Sequence, residues 1–289
     1  MVSRKSGYAD RSMNRLQILV SVIAVVLSIV SCRDHQEVKD SEQEKSLKKI
    51  SQYKIFFGHQ SVGYNIIDGL QDLGDKVGFK GLNIYESKSL EDSSTPVFVH
   101  CAIGHNKDPI SKIVEFANII GEGMGKVVDI AFFKFCYIDF GEGTDIEPVF
   151  REYRDTMTLL KQQFPEVTFV HVTVPLVSRD RGVKALVKWV IGRRLRGYDD
   201  NLSREVYNTR LIKEYGKREP IFDLARIEST RPDGNRLSHK KNGTRYYSLA
   251  PEYTDDGGHL NQIGRACVAR KLSLFLAAVA DNRNIGNFY

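Results

Sequence analysis

The chain has 289 residues, 42% hydrophobic and 27% charged, a mix that excludes a wholly disordered or collagen-like protein. Its 42 Lys and Arg against 36 Asp and Glu give a net charge of +6. Half of that excess lies before residue 32, in Arg4, Lys5, Arg11 and Arg15 against Asp10, and the mild balance left over gives no reason to invoke nucleic acid.

In chain order, the first feature is an apolar run over 16–30 that follows the basic residues and ends at Ser31-Cys32. A charged start, a short apolar stretch and a small residue at its end describe a secretory signal over 1–31 rather than a membrane span. Ile29-Val30-Ser31-Cys32 also resembles a bacterial lipobox. That resemblance implies lipidation of Cys32 and a place in the bacterial cell envelope, held to the periplasmic face or the outer membrane by the lipid anchor. Residues 32–52 are rich in Glu, Lys, Asp, Ser and Gln, and read as a flexible tether, with a short helix near 46–50 as the alternative. Cys101, Cys136 and Cys267 are odd in number and far apart, so they read as small core residues rather than a disulfide framework or metal set.

From residue 53 to 289 the pattern is that of one domain. Residues 54–57 are a brief strand candidate, and Val62, Ile66, Ile67 and Leu70 then recur at helical spacing over 61–73. Extended segments follow at 83–85 and 96–103, a helix at 109–120, and a strand buried on both faces at 127–135. Next come a helix at 149–164, a strand at 167–174, a helix at 203–215, a short strand at 221–224 and a final helix at 262–280. Such alternation implies an α/β fold with a mostly parallel central sheet and helices on both faces. The basic segment 179–196, with Trp189 and several aliphatic residues, reads as a surface helix or as a lid beside the cleft.

In a parallel sheet, ligands sit beyond the carboxyl ends of the strands, so polar residues just after each strand matter most. Ser61 follows the first strand in Gly58-His59-Gln60-Ser61-Val62-Gly63 and is either a helix cap or an exposed hydroxyl at a helix N-terminus. Asp255-Asp256-Gly257-Gly258-His259 stands directly before the last helix. A serine hydroxyl is a weak nucleophile until a base takes its proton, and an imidazole does this best when a carboxylate fixes its tautomer.

These two blocks resemble those of the SGNH (GDSL-type) hydrolase superfamily over residues 53–280. The resemblance implies a flavodoxin-like three-layer sandwich, Ser61 as nucleophile, His259 as general base and Asp256 as its orienting partner. It implies that Gly104 and Asn106, after the 96–103 segment, donate to the oxyanion, with Lys134 as a further candidate there. His59 and Gln60 would touch substrate. The family's Gly-Asp-Ser is replaced by the longer Gly58-His59-Gln60-Ser61, and Ile138 stands where the family has its oxyanion asparagine. The function so implied is a lipid-anchored extracytoplasmic serine esterase. It would act on an acyl or acetyl ester, most plausibly on a carbohydrate, with no metal or organic cofactor. An O-acyltransferase with the same triad and a non-catalytic glycan-binding lipoprotein are the alternatives.

Overall fold

In the computed structural model, the described residues are 38–90, 95–180, 182, 186–187, 190–193 and 195–281. The signal over 1–31, the lipidation site Cys32 and much of the basic 179–196 segment, Trp189 included, lie outside them. The chain divides into two units, 1–42 and 43–289. In the first, residues 38–42 are helical.

Residues 43–50 of the second unit are also helical (α1), so the described part of the stretch expected as a flexible tether over 32–52 takes instead the helical alternative, over more residues than 46–50. The composition is polar, but Leu47 and Ile50 fall on one face and are fully buried. The Ser46 hydroxyl donates to Ser273 at 3.0 Å, and the Tyr53 hydroxyl donates to the Ala280 carbonyl at 3.0 Å. Both partners belong to the last helix, so this segment is part of the domain's packing.

The domain is built on β1 (Lys54–His59), β2 (Ile84–Glu86), β3 (Val97–Ala102), β4 (Ile130–Phe133), β5 (Thr168–Val172) and β6 (Ile221–Phe222). They form one sheet in the order β2-β3-β1-β4-β5-β6. Every pairing in it is parallel. Setting aside the short edge strand β2, the order is that of flavodoxin-like sheets, with the switch point between β1 and β4. The long helices are α2 (Val62–Val77), α3 (Pro109–Gly121), α4 (Ile146–Gln163), α5 (Asp199–Tyr215) and α7 (Gln262–Ala280), with the short α6 (Leu224–Ser229) between the last two. A two-stranded antiparallel hairpin, β7 (Ser238–Lys241) and β8 (Thr244–Tyr247), precedes the final helix.

Successive strand residues point to opposite faces, and the core divides accordingly. Ile55, Phe57, Ile130 and Phe132 pack with Ile66 and Leu70 of α2 and Leu276 of α7. Phe56, Ala131 and Phe133 pack instead with Phe116 of α3, Val149 and Tyr153 of α4 and Tyr207 of α5. Apolar residues on both faces of the strands make this a three-layer α/β sandwich, as the alternation in the sequence requires. Among the described residues no helix is long and apolar enough to cross a membrane.

Candidate active site

The site is assembled at the carboxyl ends of β1, β3 and β4 and on the loop before α7. Ser61 immediately precedes α2, yet its side chain makes no capping hydrogen bond. The capping role open to it in the sequence is therefore not the one it takes. Its hydroxyl lies 3.9 Å from the Cys136 thiol, which follows β4.

Two residues before Ser61, His59 is fully buried, so it does not contact substrate as expected. Its Nε2 is 3.0 Å from Nδ1 of His100 on β3. Burial, reinforced by the positive charge of Lys134 and by His100, pushes the His59 pKa down to about 2, so the ring is neutral. Room for it exists only because residue 63 is glycine: a Cβ there would lie 2.2 Å from the His59 ring. Gln60 is also committed, its amide donating to the carbonyls of Ile103 and Gly104 at 3.0 Å each. It ties the loop after β3 to the loop carrying Ser61.

The histidine loop has the geometry of an oriented base. His259 Nδ1 is 2.6 Å from Asp256 Oδ2. Asp256 Oδ1 accepts the backbone N–H groups of Gly258 and His259, each at 2.8 Å. Burial alone would raise the Asp256 pKa, but the bonds from His259 and from those two amides outweigh it and hold the carboxyl well below the usual carboxylate range. With Nδ1–H given to Asp256, the other nitrogen of a neutral ring is an acceptor. Gly257 has φ +85°, and the Arg196 guanidinium, which donates to the Asp256 carbonyl at 2.6 Å, fills the space where a Cβ would stand. Ser178 N–H donates to the Gly257 carbonyl at 2.9 Å, so both ends of the basic segment grip this loop.

Two contacts bring the loops together. The Leu260 N–H donates to Asn65 Oδ1 at 3.2 Å, which fixes the histidine loop to the first turn of α2 just past Ser61. Tyr137, next to Cys136, sets its ring edge-on to His259 with centroids 5.8 Å apart. Cys136 thus lies beside the serine and Tyr137, its neighbour in the chain, beside the imidazole. Ser61 and His259 form no hydrogen bond with each other here; such catalytic bonds are commonly long without substrate.

Two of the three expected oxyanion donors, Gly104 and Lys134, are committed elsewhere. The Gly104 N–H is spent on Glu115 Oε2 at 2.6 Å, so it is not free to meet an oxyanion. Asn106 is exposed in the turn that follows. Lys134 is fully buried, and its ammonium group reaches the Phe135 carbonyl at 3.3 Å and the Cys136 thiol at 4.0 Å, beneath the site rather than in it. Burial lowers its pKa, opposed by the nearby Cys136, Asp139 and Glu228.

Sequence reasoning missed the clamp that holds these loops. Asp139 and Lys112 form an ion pair at 2.8 Å with both side chains fully buried. Asp139 also accepts the N–H groups of Lys107 at 2.9 Å and Cys136 at 2.7 Å, while Lys112 donates to the His105 carbonyl at 2.8 Å. One buried carboxylate therefore joins the loops after β3 and β4 on either side of Ser61. An aspartate after a strand carried no sign in the sequence that a lysine 27 residues earlier would meet it.

No family model and no curated protein matches the chain. Solved structures do resemble it. The periplasmic domain of a lipopolysaccharide acetyltransferase from Salmonella ser. Paratyphi A gives a TM-score of 0.43 at 15% identity, covering 81% of this chain and 84% of that one. A member of the lipolytic protein G-D-S-L family from Veillonella parvula gives 0.42 at 12% identity, over 77% and 97%. A peptidoglycan O-acetylesterase gives 0.42 at 12% identity, over 65% of this chain and 48% of its own.

Proposed function

We propose that the chain is a divergent SGNH-type serine hydrolase that cleaves an acyl or acetyl ester, with a carbohydrate as the alcohol. It would work outside the cytoplasm, anchored through a lipid on Cys32. What carries the reading is the His259–Asp256 pair, fixed at 2.6 Å and pinned through Leu260 to the helix turn that begins at Ser61.

In this mechanism the Ser61 oxygen attacks the ester carbonyl while His259 Nε2 takes the hydroxyl proton. Asp256 stabilises the imidazolium so formed. The tetrahedral oxyanion faces the N-terminus of α2; the Gly63 and Tyr64 N–H groups there already bond the Gln60 and Ser61 carbonyls at 2.7 and 3.0 Å, so the helix end acts through its partial positive charge. The carbon–oxygen bond to the leaving alcohol then breaks, and His259 returns its proton to that oxygen. Water attacks the acyl-Ser61 ester by the same proton route and releases the carboxylic acid. No step draws on a metal or organic cofactor.

The test is p-nitrophenyl acetate turnover by residues 33–289 beside Ser61→Ala. Loss of at least about 10³-fold in kcat is expected in the variant, and equal rates in the two proteins would end the proposal.

One observation favours a second reading, a glycan-binding protein without turnover: Ile138 replaces the family asparagine, and Glu115 occupies the Gly104 N–H. Covalent labelling of Ser61 by a fluorophosphonate separates the two, since only an activated serine reacts.

A further inference from the structure

At the edge of the sheet beyond β6, α6 and α7 flank an open cavity of about 400 Å³ that neither Ser61 nor His259 lines. That volume lies in the range of small-molecule sites, which are mostly apolar with a few placed polar groups. Its wall includes Tyr253 and Phe275, both buried, and its rim carries Arg226 of α6 with Arg270 and Lys271 of α7. The side chains of these three cations make no hydrogen bond or ion pair with any described residue, Arg226 donating only through its backbone N–H. A fourth lining cation, Arg231, is bound to Glu252.

Asp223 is the acid in the lining, its Oδ1 accepting from the Thr173 hydroxyl at 3.0 Å and the Arg226 N–H at 3.1 Å, and its single charge offsets only one of the three free cations. A hollow with an apolar wall and a surplus of unmatched positive charge at its mouth suits a ligand with the opposite arrangement. Like charges facing one another across a cleft repel, and an anion between them relieves that cost.

We propose that this cavity binds an amphipathic organic anion, a single carboxylate or phosphate on a short apolar body. The apolar part lies against Phe275 and Tyr253, and the anionic head sits among Arg226, Arg270 and Lys271. The site adjoins the candidate catalytic loop without belonging to it. Tyr253 lines the cavity, and its carbonyl accepts the Asn261 N–H at 2.9 Å, two residues past His259. The proposal does not depend on the hydrolase reading.

Titration calorimetry with hexanoate and with hexyl phosphate tests it. At least one of them should bind the unmodified protein and Ser61→Ala with equal affinity. The double variant Arg270→Glu, Lys271→Glu should bind about tenfold more weakly or not at all, as should hexanol and inorganic phosphate on the unmodified protein. Tighter binding of hexanoate identifies a free carboxylic acid as the source, and tighter binding of hexyl phosphate a phosphate headgroup. The proposal falls if neither probe binds, if the double variant binds as well as the unmodified protein, or if Ser61→Ala abolishes binding, which would place the ligand in the catalytic cleft. Should the double variant lose its cooperative melt, Arg226→Glu on the facing wall carries the same test.

Discussion

Two histidine–carboxylate pairs among the described residues differ in whether a ring nitrogen is left over. His259 and Asp256 meet at 2.6 Å, with side chains 42% and 56% exposed. His171 and Glu219 meet at 2.9 Å, but His171 is fully buried. The decisive difference is the second ring nitrogen. In His171 it accepts from the Tyr153 hydroxyl at 2.7 Å, and the ring is stacked on Tyr215 with centroids 3.7 Å apart. Both nitrogens are spent, so the ring is a structural tie between β5, α4 and the turn after α5. In His259 the carboxylate takes Nδ1, and Nε2 has no hydrogen-bond partner among the described residues. A carboxylate beside a histidine therefore says little by itself; what distinguishes His259 is a second nitrogen left without a partner on a solvent-exposed ring.

Exchanging the lesion between the pairs gives the sharpest test. His259→Ala should lower kcat for ester hydrolysis by about 10⁴-fold or more while leaving the melting temperature nearly unchanged. His171→Ala should do the reverse, costing about 2–4 kcal/mol of stability through lost contacts and the orphaned Tyr153 hydroxyl, with the turnover of the folded fraction retained. Stopped assays and urea denaturation on both variants decide it. A large loss of kcat in folded His171→Ala would show that the buried pair is not merely structural.

The carboxylates extend the same contrast at smaller scale. Asp256→Asn leaves a partner in place but favours the wrong imidazole tautomer, so kcat should fall about 10³–10⁴-fold with the fold intact. Glu219→Gln should leave kcat alone. Circular dichroism melts beside rate measurements check both, and full activity in Asp256→Asn would mean that Asp255 or water orients the ring.

The legible part of this arrangement was local. Asp256 and His259 are three residues apart and lie in one turn, a spacing weak by itself that gained weight from the serine block after the first strand, and the alternation of strands and helices gave the parallel sheet. What the sequence hid was set by partners far along the chain. His59 looked like a substrate contact because it sits at a strand end beside Ser61; its burial depends on His100 across the sheet and on the missing side chain of Gly63. Gly104 looked like an oxyanion donor until Glu115, a helix turn away in space, claimed its N–H. The helix at 43–50 was obscured by its composition, since two buried apolar residues and hydrogen bonds to α7 outweigh a polar surface.

Gly63 links the floor of the site to its nucleophile and predicts a smaller effect. In Gly63→Ala the new methyl would overlap the His59 ring, which is packed on all sides and has no open direction to move. Strain of about 1–3 kcal/mol is expected. A shift of Ser61, two residues earlier, by as little as about 1 Å would cost up to about 10²-fold in kcat. A variant with normal kcat and an unchanged melt would show that the ring has room.

The smallest effect separates the pairs by pH. Burial lowers the His171 pKa from its ordinary 6.5, against the pull of Glu219, so the folded protein resists a proton that the unfolded chain accepts. Glu219, which burial alone would raise, is brought from 4.5 down to about 2 by hydrogen bonds from His171 and Lys161. Both depressed values act in the same direction. Each contributes stability that is complete above the unfolded-state pKa and is lost as pH falls, from 6.5 downward for His171 and between 4.5 and about 2 for Glu219. Urea midpoints of the unmodified protein should therefore decline on acidification, and those of Glu219→Gln should decline less below pH 4.5 because one of the two linkages is gone. Asp256→Asn should track the unmodified protein more closely, since its partner loop is open to water and screened. Parallel curves for Glu219→Gln and the unmodified protein would mean that the buried pair does not govern acid sensitivity.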